Sequence, residues 1–363
     1  VLYLGAPLGF GAPRAEIVQA CTSLTRDINL LKSCLLAPWQ KLDALRSFLL
    51  PRLDYLCRAR RVSKATLIPA ASAVTSFCRD VCGLPEFSSS RFPFAPRSAG
   101  GLCLVHLATN AAILRVAQAC RMLASSDPCV AGTARHRLDV ELLASGVRAP
   151  TDHDRSSYLS PSPSDQLPRR NSPPFWHDVR RCLHDLQAHI TLSDSLITVS
   201  VRDPDGTMHM LAPRAIVSKL REFARRAEGE ALAMQPAQGR VSRCLSTDRH
   251  ATHSHYQTTG LGLSFAAWRF VHQARLDVLP VNVAASRSFP GRRVTACRVC
   301  RVEAETVCHV MAHCRPMLSA IAMRHHTVLG RLVADFPQLP APLSHWAAWS
   351  RRSVARPSSR TSS

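Results

Sequence analysis

"IVQACTSLTRDINLLKSCL", running from Ile17 to Leu35, carries its apolar residues at Ile17, Cys21, Leu24, Ile28, Leu31 and Leu35, in alternating steps of four and three. That spacing lays them along one face of a helix with 3.6 residues per turn. The pattern repeats downstream. After Pro38, Leu42, Leu45, Leu49, Leu53 and Leu56 mark a second helix with a kink expected at Pro51, and Leu67, Ala71, Val74, Phe77 and Val81 mark a third. A fourth is predicted from about Leu102 to Leu123. Between the last two, "CGLPEFSSSRFPFAPRSAGG" is punctuated by Pro and Gly and reads as an ordered loop. The fold class that follows is mainly α (α+β), with a helical domain over 13–130.

Beyond that domain the signal changes. The residues from Ala149 to Pro174, including "YLSPSPSDQLPRRNSPP", offer too little apolar surface to pack, so 131–174 reads as a variable region with a disordered Ser/Pro-rich linker. "LITVSVRDPDGTMHML" then alternates around Asp205-Gly206 and predicts a β-hairpin, followed by an Arg-rich helix from Ala215 to Leu232; together they form a small hairpin-plus-helix region over 175–235. A last helix over "LSFAAWRFVHQARLDVLPVN" runs to a turn at Pro280 and opens a helical region over 236–345. The Arg- and Ser-rich end, 346–363, reads as a basic disordered tail.

Charge sets the class of partner. In 363 residues there are 46 Lys and Arg against 25 Asp and Glu, a formal excess of +21, and all but four of the cations are Arg. Arg presents a planar fork that matches phosphate, so RNA and DNA are the expected partners. No apolar run reaches the length of a membrane span, and the first residues lack the parts of a signal peptide, so no membrane partner is expected and an intracellular site is. Fourteen cysteines in a chain of this kind read mostly as reduced core residues.

One cluster is different. "CRVCRVEAETVCHVMAHC" spaces Cys297, Cys300, His309 and Cys314 as C-x2-C-x8-H-x4-C. Zinc takes four such ligands in a tetrahedron, and a site with four protein ligands has no open position for chemistry, so a structural Zn2+ is expected. Cys308 and His313 stand close enough in sequence to replace a neighbour in the set. Arg292, Arg293, Arg298 and Arg301 surround the cluster and are the candidate nucleic-acid contacts, or else a solvated face. The histidines of "DRHATHSHY", His250, His253 and His255, read as an exposed loop in preference to a metal site.

This zinc spacing resembles the C-terminal region of polyproteins of non-LTR retrotransposons, in the class that carries a restriction-like endonuclease. The matching residues are Trp268, Arg269, Phe270, Ala274, Arg275, Leu276, Leu279 and Pro280 ahead of the knuckle, its four ligands, and Arg324 with His325 behind it. "YLGAPLG" at Tyr3 to Gly9 is similar to the end of that family's reverse transcriptase palm, placed over 1–12, and the loop with Pro96, Arg97, Gly100, Gly101 and Leu102 to its thumb. The resemblance implies a piece of an RNA-directed DNA polymerase that grips template and primer, synthesised in the cytoplasm and acting in the nucleus. Paired carboxylates holding Mg2+ would lie before Tyr3, and no adjacent Asp pair occurs in the chain. No catalytic residue is therefore expected here, and Mg2+ belongs to the missing polymerase and endonuclease sites. The chain reads as part of something longer, with truncation or a frameshift expected where the endonuclease should follow. Two other readings stand beside it: a stand-alone or repurposed zinc-dependent nucleic-acid-binding protein, and a structural zinc module for protein contacts.

Overall fold

In the computed structural model, residues 2–3, 6–7, 15–60, 62–165, 174–193, 196–203, 205–246, 254–288, 291 and 294–335 are described. They are mostly helical, with a small antiparallel sheet, and divide into two compact units, Val1–Leu276 and Asp277–Ser363. No helix among the described residues is long and apolar enough to cross a membrane.

The first unit opens on two short paired strands, β1 (Leu2–Tyr3) and β2 (Ala6–Pro7), and then α1 (Ala15–Ser33), which buries Ile17, Cys21, Leu24 and Ile28 as the periodicity predicts. The second predicted helix is continuous but irregular. α2 (Pro38–Ala44) passes through a π-helical turn at Leu45–Leu49 and a 3-10 turn at Leu50–Leu53 into α3 (Asp54–Ala59). Pro51 has no N–H for the α-helical ladder, and at the start of the 3-10 turn it needs none. α4 (Lys64–Cys82) starts where the Ser63 hydroxyl accepts from Thr66 N and stops at Gly83, whose φ of 65° lets the chain turn back. The fourth predicted helix begins later than read, as α5 (Leu107–Leu123), because the backbone over 102–106 is irregular, with Cys103 at φ 63°.

The expected linker is where the structure differs most. α6 (Pro128–Ala144) and α7 (Asp152–Tyr158) occupy its first part, and Ala134, Leu138, Leu142 and Leu159 are all buried. Local caps outweigh the polar composition. Asp127 accepts from Cys129 N, and Thr151 and Asp154 form a reciprocal capping box. Residues 166–173 of the linker lie outside the described residues.

α8 (Phe175–Leu186) follows, its first turn satisfied by the Glu141 carboxylate, which accepts from Trp176 N at 3.0 Å. The predicted hairpin is present as β4 (Leu196–Arg202) and β5 (Met208–Leu211), turned by Asp203, which accepts from Thr207 N, and by Gly206 at φ 86°. A third strand, β3 (Ala188–Ser193), pairs antiparallel with β4, so the order is β3-β4-β5. The inward residues Ala188, Ile190, Leu192, Val199 and Val201 join Ile113, Val116, Leu138, Trp176, Val179, Leu183, Ile216 and Leu220 in one core. The helical domain and the small mixed region therefore share an interior and do not stand as separate domains.

α9 (Ile216–Ala233) ties the same parts together by polar bonds. Arg221 donates to Asn110 Oδ1 at 2.8 Å and pairs with Asp54 at 2.9 Å, while Asn110 donates to Asp54 at 3.0 Å. α10 (Arg240–Ser246), α11 (Tyr256–Thr259) and α12 (Phe265–Arg275) complete the unit. α12 caps the end of α4: Arg269 donates to Val81 O and Gln273 to Gly83 O. On its inner face Trp268 and His272 are fully buried. His272 is held neutral, its pKa pushed down to about 3 by burial and by Arg275, and neither ring nitrogen has a hydrogen-bond partner. Packing, then, makes this helix part of the first unit.

Candidate metal centre

The second unit is built on α13 (Asn282–Ser288), a hairpin closed by an Ala296–Ala304 bridge, a helical turn at His309–His313 and α14 (Leu318–Asp335). Cys297 sits just inside the bridge, with Cys297 N donating to Glu303 O at 2.7 Å and Arg301 N donating to Cys297 O at 2.8 Å. This brings Cys300 back beside Cys297 at the hairpin tip. Arg301 completes the turn at φ 60°, a left-handed conformation.

The other two ligands come from the helical turn. In an α-helix, residues five apart point about 140° away from each other. Here the turn is π-helical, and Cys314 N donates to His309 O at 2.8 Å, so His309 and Cys314 face the same point. The Thr306 hydroxyl starts the turn by accepting from His309 N at 3.0 Å.

The candidate ligand atoms of Cys297, Cys300, His309 and Cys314 all lie within 4.8 Å of one another. Cys297 Sγ is 3.9 Å from Cys314 Sγ, and Cys300 Sγ is 3.4 Å from His309 Nε2. A tetrahedral ion bonded to sulfur at about 2.3 Å and nitrogen at about 2.0 Å requires edges of about 3.8 Å and about 3.5 Å. The donor set fits, and these four residues could hold a metal ion such as zinc. Cys308 and His313 do not join them. They are exposed and face each other, with Sγ 3.7 Å from Nδ1.

Electrostatics match that geometry. Backbone N–H groups of Glu303 and Val302 draw the Cys300 thiol down to about 6, and those of Cys300 and Val299 lower Cys297. Burial and then the neighbouring Cys297 push Cys314 up to about 11, since three thiolates do not crowd together without a cation between them. Burial pulls the His309 pKa down, but bonds to Cys297, Cys300 and Glu303 outweigh it and raise it. Glu303 Oε2 lies 2.9 Å from His309 Nδ1. A proton held there leaves the Nε2 lone pair facing the sulfurs, the orientation a metal ligand needs.

The arginines divide. Arg298 is committed to Glu305, which is 2 % exposed: its Nε lies 2.9 Å and 3.0 Å from the two carboxylate oxygens, and its Nη2 also donates to Pro280 O. Asn282 Nδ2 and Arg298 N bond the same carboxylate. These bonds tie Arg298 to the fold of the unit. Arg301 is exposed and its guanidinium has no partner among the described residues. Arg292 and Arg293 lie outside the described residues, as do His250 and His253. Glu303 and Glu305 were not read as site residues, although "EAE" between the ligand pairs is the one acidic stretch of the cluster.

No protein-family model matches the chain, and no curated protein does either.

Proposed function

We propose that the quartet binds zinc and that the zinc-closed unit binds nucleic acid. Thiolate and imidazole donors in a tetrahedron favour zinc over hard cations. Four protein ligands saturate the ion, so its role is to fold the hairpin onto the helical turn, and the chemistry it supplies is structural. The observation that carries the reading is the closed quartet in a segment of strongly one-sided charge: residues 277–363 hold twelve Arg and four Asp or Glu. With Arg298 engaged by Glu305, Arg301 is the described cation beside the metal best placed to meet phosphate.

The parent protein proposed for this chain is the reverse transcriptase and endonuclease polyprotein of a non-LTR retrotransposon, in which these residues would grip template, primer and target without performing the chemistry. That reading is supported by the order and spacing of the residues that resemble the family. It places the chain at nuclear DNA after cytoplasmic synthesis.

The experiment is a titration of zinc-loaded chain with short RNA and DNA duplexes and single strands at low and moderate salt. Neutralising several phosphates releases counterions, so affinity falls steeply as salt rises. An affinity that does not change with salt, or a folded zinc-loaded chain that binds no nucleic acid, overturns the proposal.

A further inference from the structure

The first unit contains a group of arginines that the zinc reading does not use. Several of its inward-facing arginines are paired with carboxylates: Arg115 with Asp178 at 3.2 Å, Arg155 with Asp139 at 2.7 Å, Arg221 with Asp54 at 2.9 Å. Arg46, Arg97 and Arg225 are not. Each is half-buried, and none forms an ion pair among the described residues. Arg46, on the π-helical turn after α2, donates to Leu102 O at 2.7 Å, and its Nε has no partner; Arg225 Nε also has none. Burial and then the charge of Arg97, with a smaller contribution from Arg225, push the Arg46 pKa down against the opposing pull of Cys103 and Asp43.

Arg46 and Arg97 line a small cleft, open to solvent, together with Trp39, Asp43, Gln257 and Thr258. Asp43 is its one carboxylate and makes no ion pair with any of the three arginines. Gln257 is only 5 % exposed; its Nε2 donates to Gly100 O at 3.0 Å, which leaves Oε1 in the wall without a hydrogen-bond partner.

The convergence is built into α9. Arg221, Arg225 and Gly229 recur every four residues and share one face. Arg221 anchors that face to α3 and α5, and Gly229 lets it pass close over the Arg97 turn, where a Cβ would stand 2.7 Å from Pro96 Cδ and 3.2 Å from Ala99 Cβ. Arg225 lies between these two fixed points. Half-buried cations without a direct ion pair are costly, and an anion with several oxygens relieves that cost by taking several charged hydrogen bonds at once.

We propose that this cleft is a phosphate-binding site, in which Arg46 and Arg97 receive the phosphate of a nucleotide or of a nucleic-acid strand, with the charge of Arg225 nearby. The site lies wholly within the first unit and needs no metal, so it stands or falls separately from the zinc reading.

The test uses the full zinc-loaded chain and two probes, inorganic phosphate and deoxyadenosine 5′-monophosphate, titrated calorimetrically. Arg46→Gln and Arg97→Gln each remove one charge from the cleft, and Arg26→Gln removes the same charge from an exposed position. Saturable binding is expected, weakened at least about tenfold in the first two variants and unchanged in the third. Gly229→Ala, which keeps every charge but lifts α9 from the Arg97 turn, weakens it too. Binding survives removal of zinc with a chelator. Displacement of the nucleotide by a single-stranded oligonucleotide assigns the phosphate to a strand; retention assigns it to a free nucleotide. The absence of saturable binding by either probe, or an equal loss in Arg26→Gln, overturns the proposal.

Discussion

The two units are held together by different physics. In the first, a continuous apolar interior with fully buried Trp176 and Trp268 supplies the stabilisation, and polar bonds such as Arg221 to Asp54 set the register between helices. In the second, the buried groups around the hairpin are Cys297, Cys314, His309 and Glu305, each of which needs a partner to be buried at all. A hydrophobic core tolerates the loss of any one contact by degrees. A coordination sphere does not.

Removing metal or one ligand tests that contrast most severely. Cys300→Ser, or a strong chelator, is expected to abolish stoichiometric zinc and unfold the second unit, leaving the helical signal of the first. Metal content and limited proteolysis read the two outcomes separately, and a variant that keeps one zinc per chain breaks the comparison. The reverse experiment is Trp176→Ala, which should cost the first unit about 3 to 5 kcal/mol in thermal or denaturant unfolding while zinc content stays intact.

Acid separates the units by mechanism. The folded-state pKa of His272 lies far below that of a free histidine, so the unfolded chain binds the extra proton. The stability of the first unit should be complete above about pH 6.5 and decline as pH falls toward 3, by about 1.4 kcal/mol per pH unit within that window. His272→Phe should flatten the profile. Loss of zinc as the thiolates protonate should persist in that variant, and its disappearance would show the two units to be one cooperative system.

The smallest effects concern single arginines of the second unit. Arg298→Ala should lower its stability by about 1 to 2 kcal/mol, a figure held down because the guanidinium is largely exposed. Glu305 is kept below the usual carboxylate range by its bonds to Arg298, so this contribution is present above the ordinary Glu pKa and is lost as pH falls through the lowered one. Arg301→Ala should instead leave unfolding unchanged and reduce the salt slope of nucleic-acid binding by about one. If the two variants exchange phenotypes, the division of labour between them is wrong.

Where one face of an element meets the core in a regular period, the sequence was readable. α4 lies where its apolar steps place it, α1 does so from Ile17 to Ile28 but ends at Ser33 and leaves Leu35 fully exposed, and the β4-β5 hairpin follows its Asp-Gly turn. α6 buries only Ala134, Leu138 and Leu142, a narrow stripe with exposed Val130, Val140 and Leu143 beside it, so periodicity gave no clear face. Its Asp127-Pro128 start and the Thr151 capping box of α7 were legible signals that Ser- and Pro-rich composition outweighed. β3 shows its alternation only over Ala188, Ile190 and Leu192, too short to separate from a loop. The metal quartet was readable because ligand spacing is a property of the chain. The tasks of Glu303, Glu305 and Arg298 were not, because each depends on what the hairpin brings beside it.

The left-handed backbone at Arg301 sets two properties of the protein against each other. Glycine occupies that conformation without strain, whereas any side chain with a Cβ is held there at a cost. Arg301→Gly would thus tighten the hairpin around the metal and, in the same change, discard its free positive charge. If the proposed binding holds, stability and binding trade against each other at this position, and screening for heat resistance alone would select against the proposed activity.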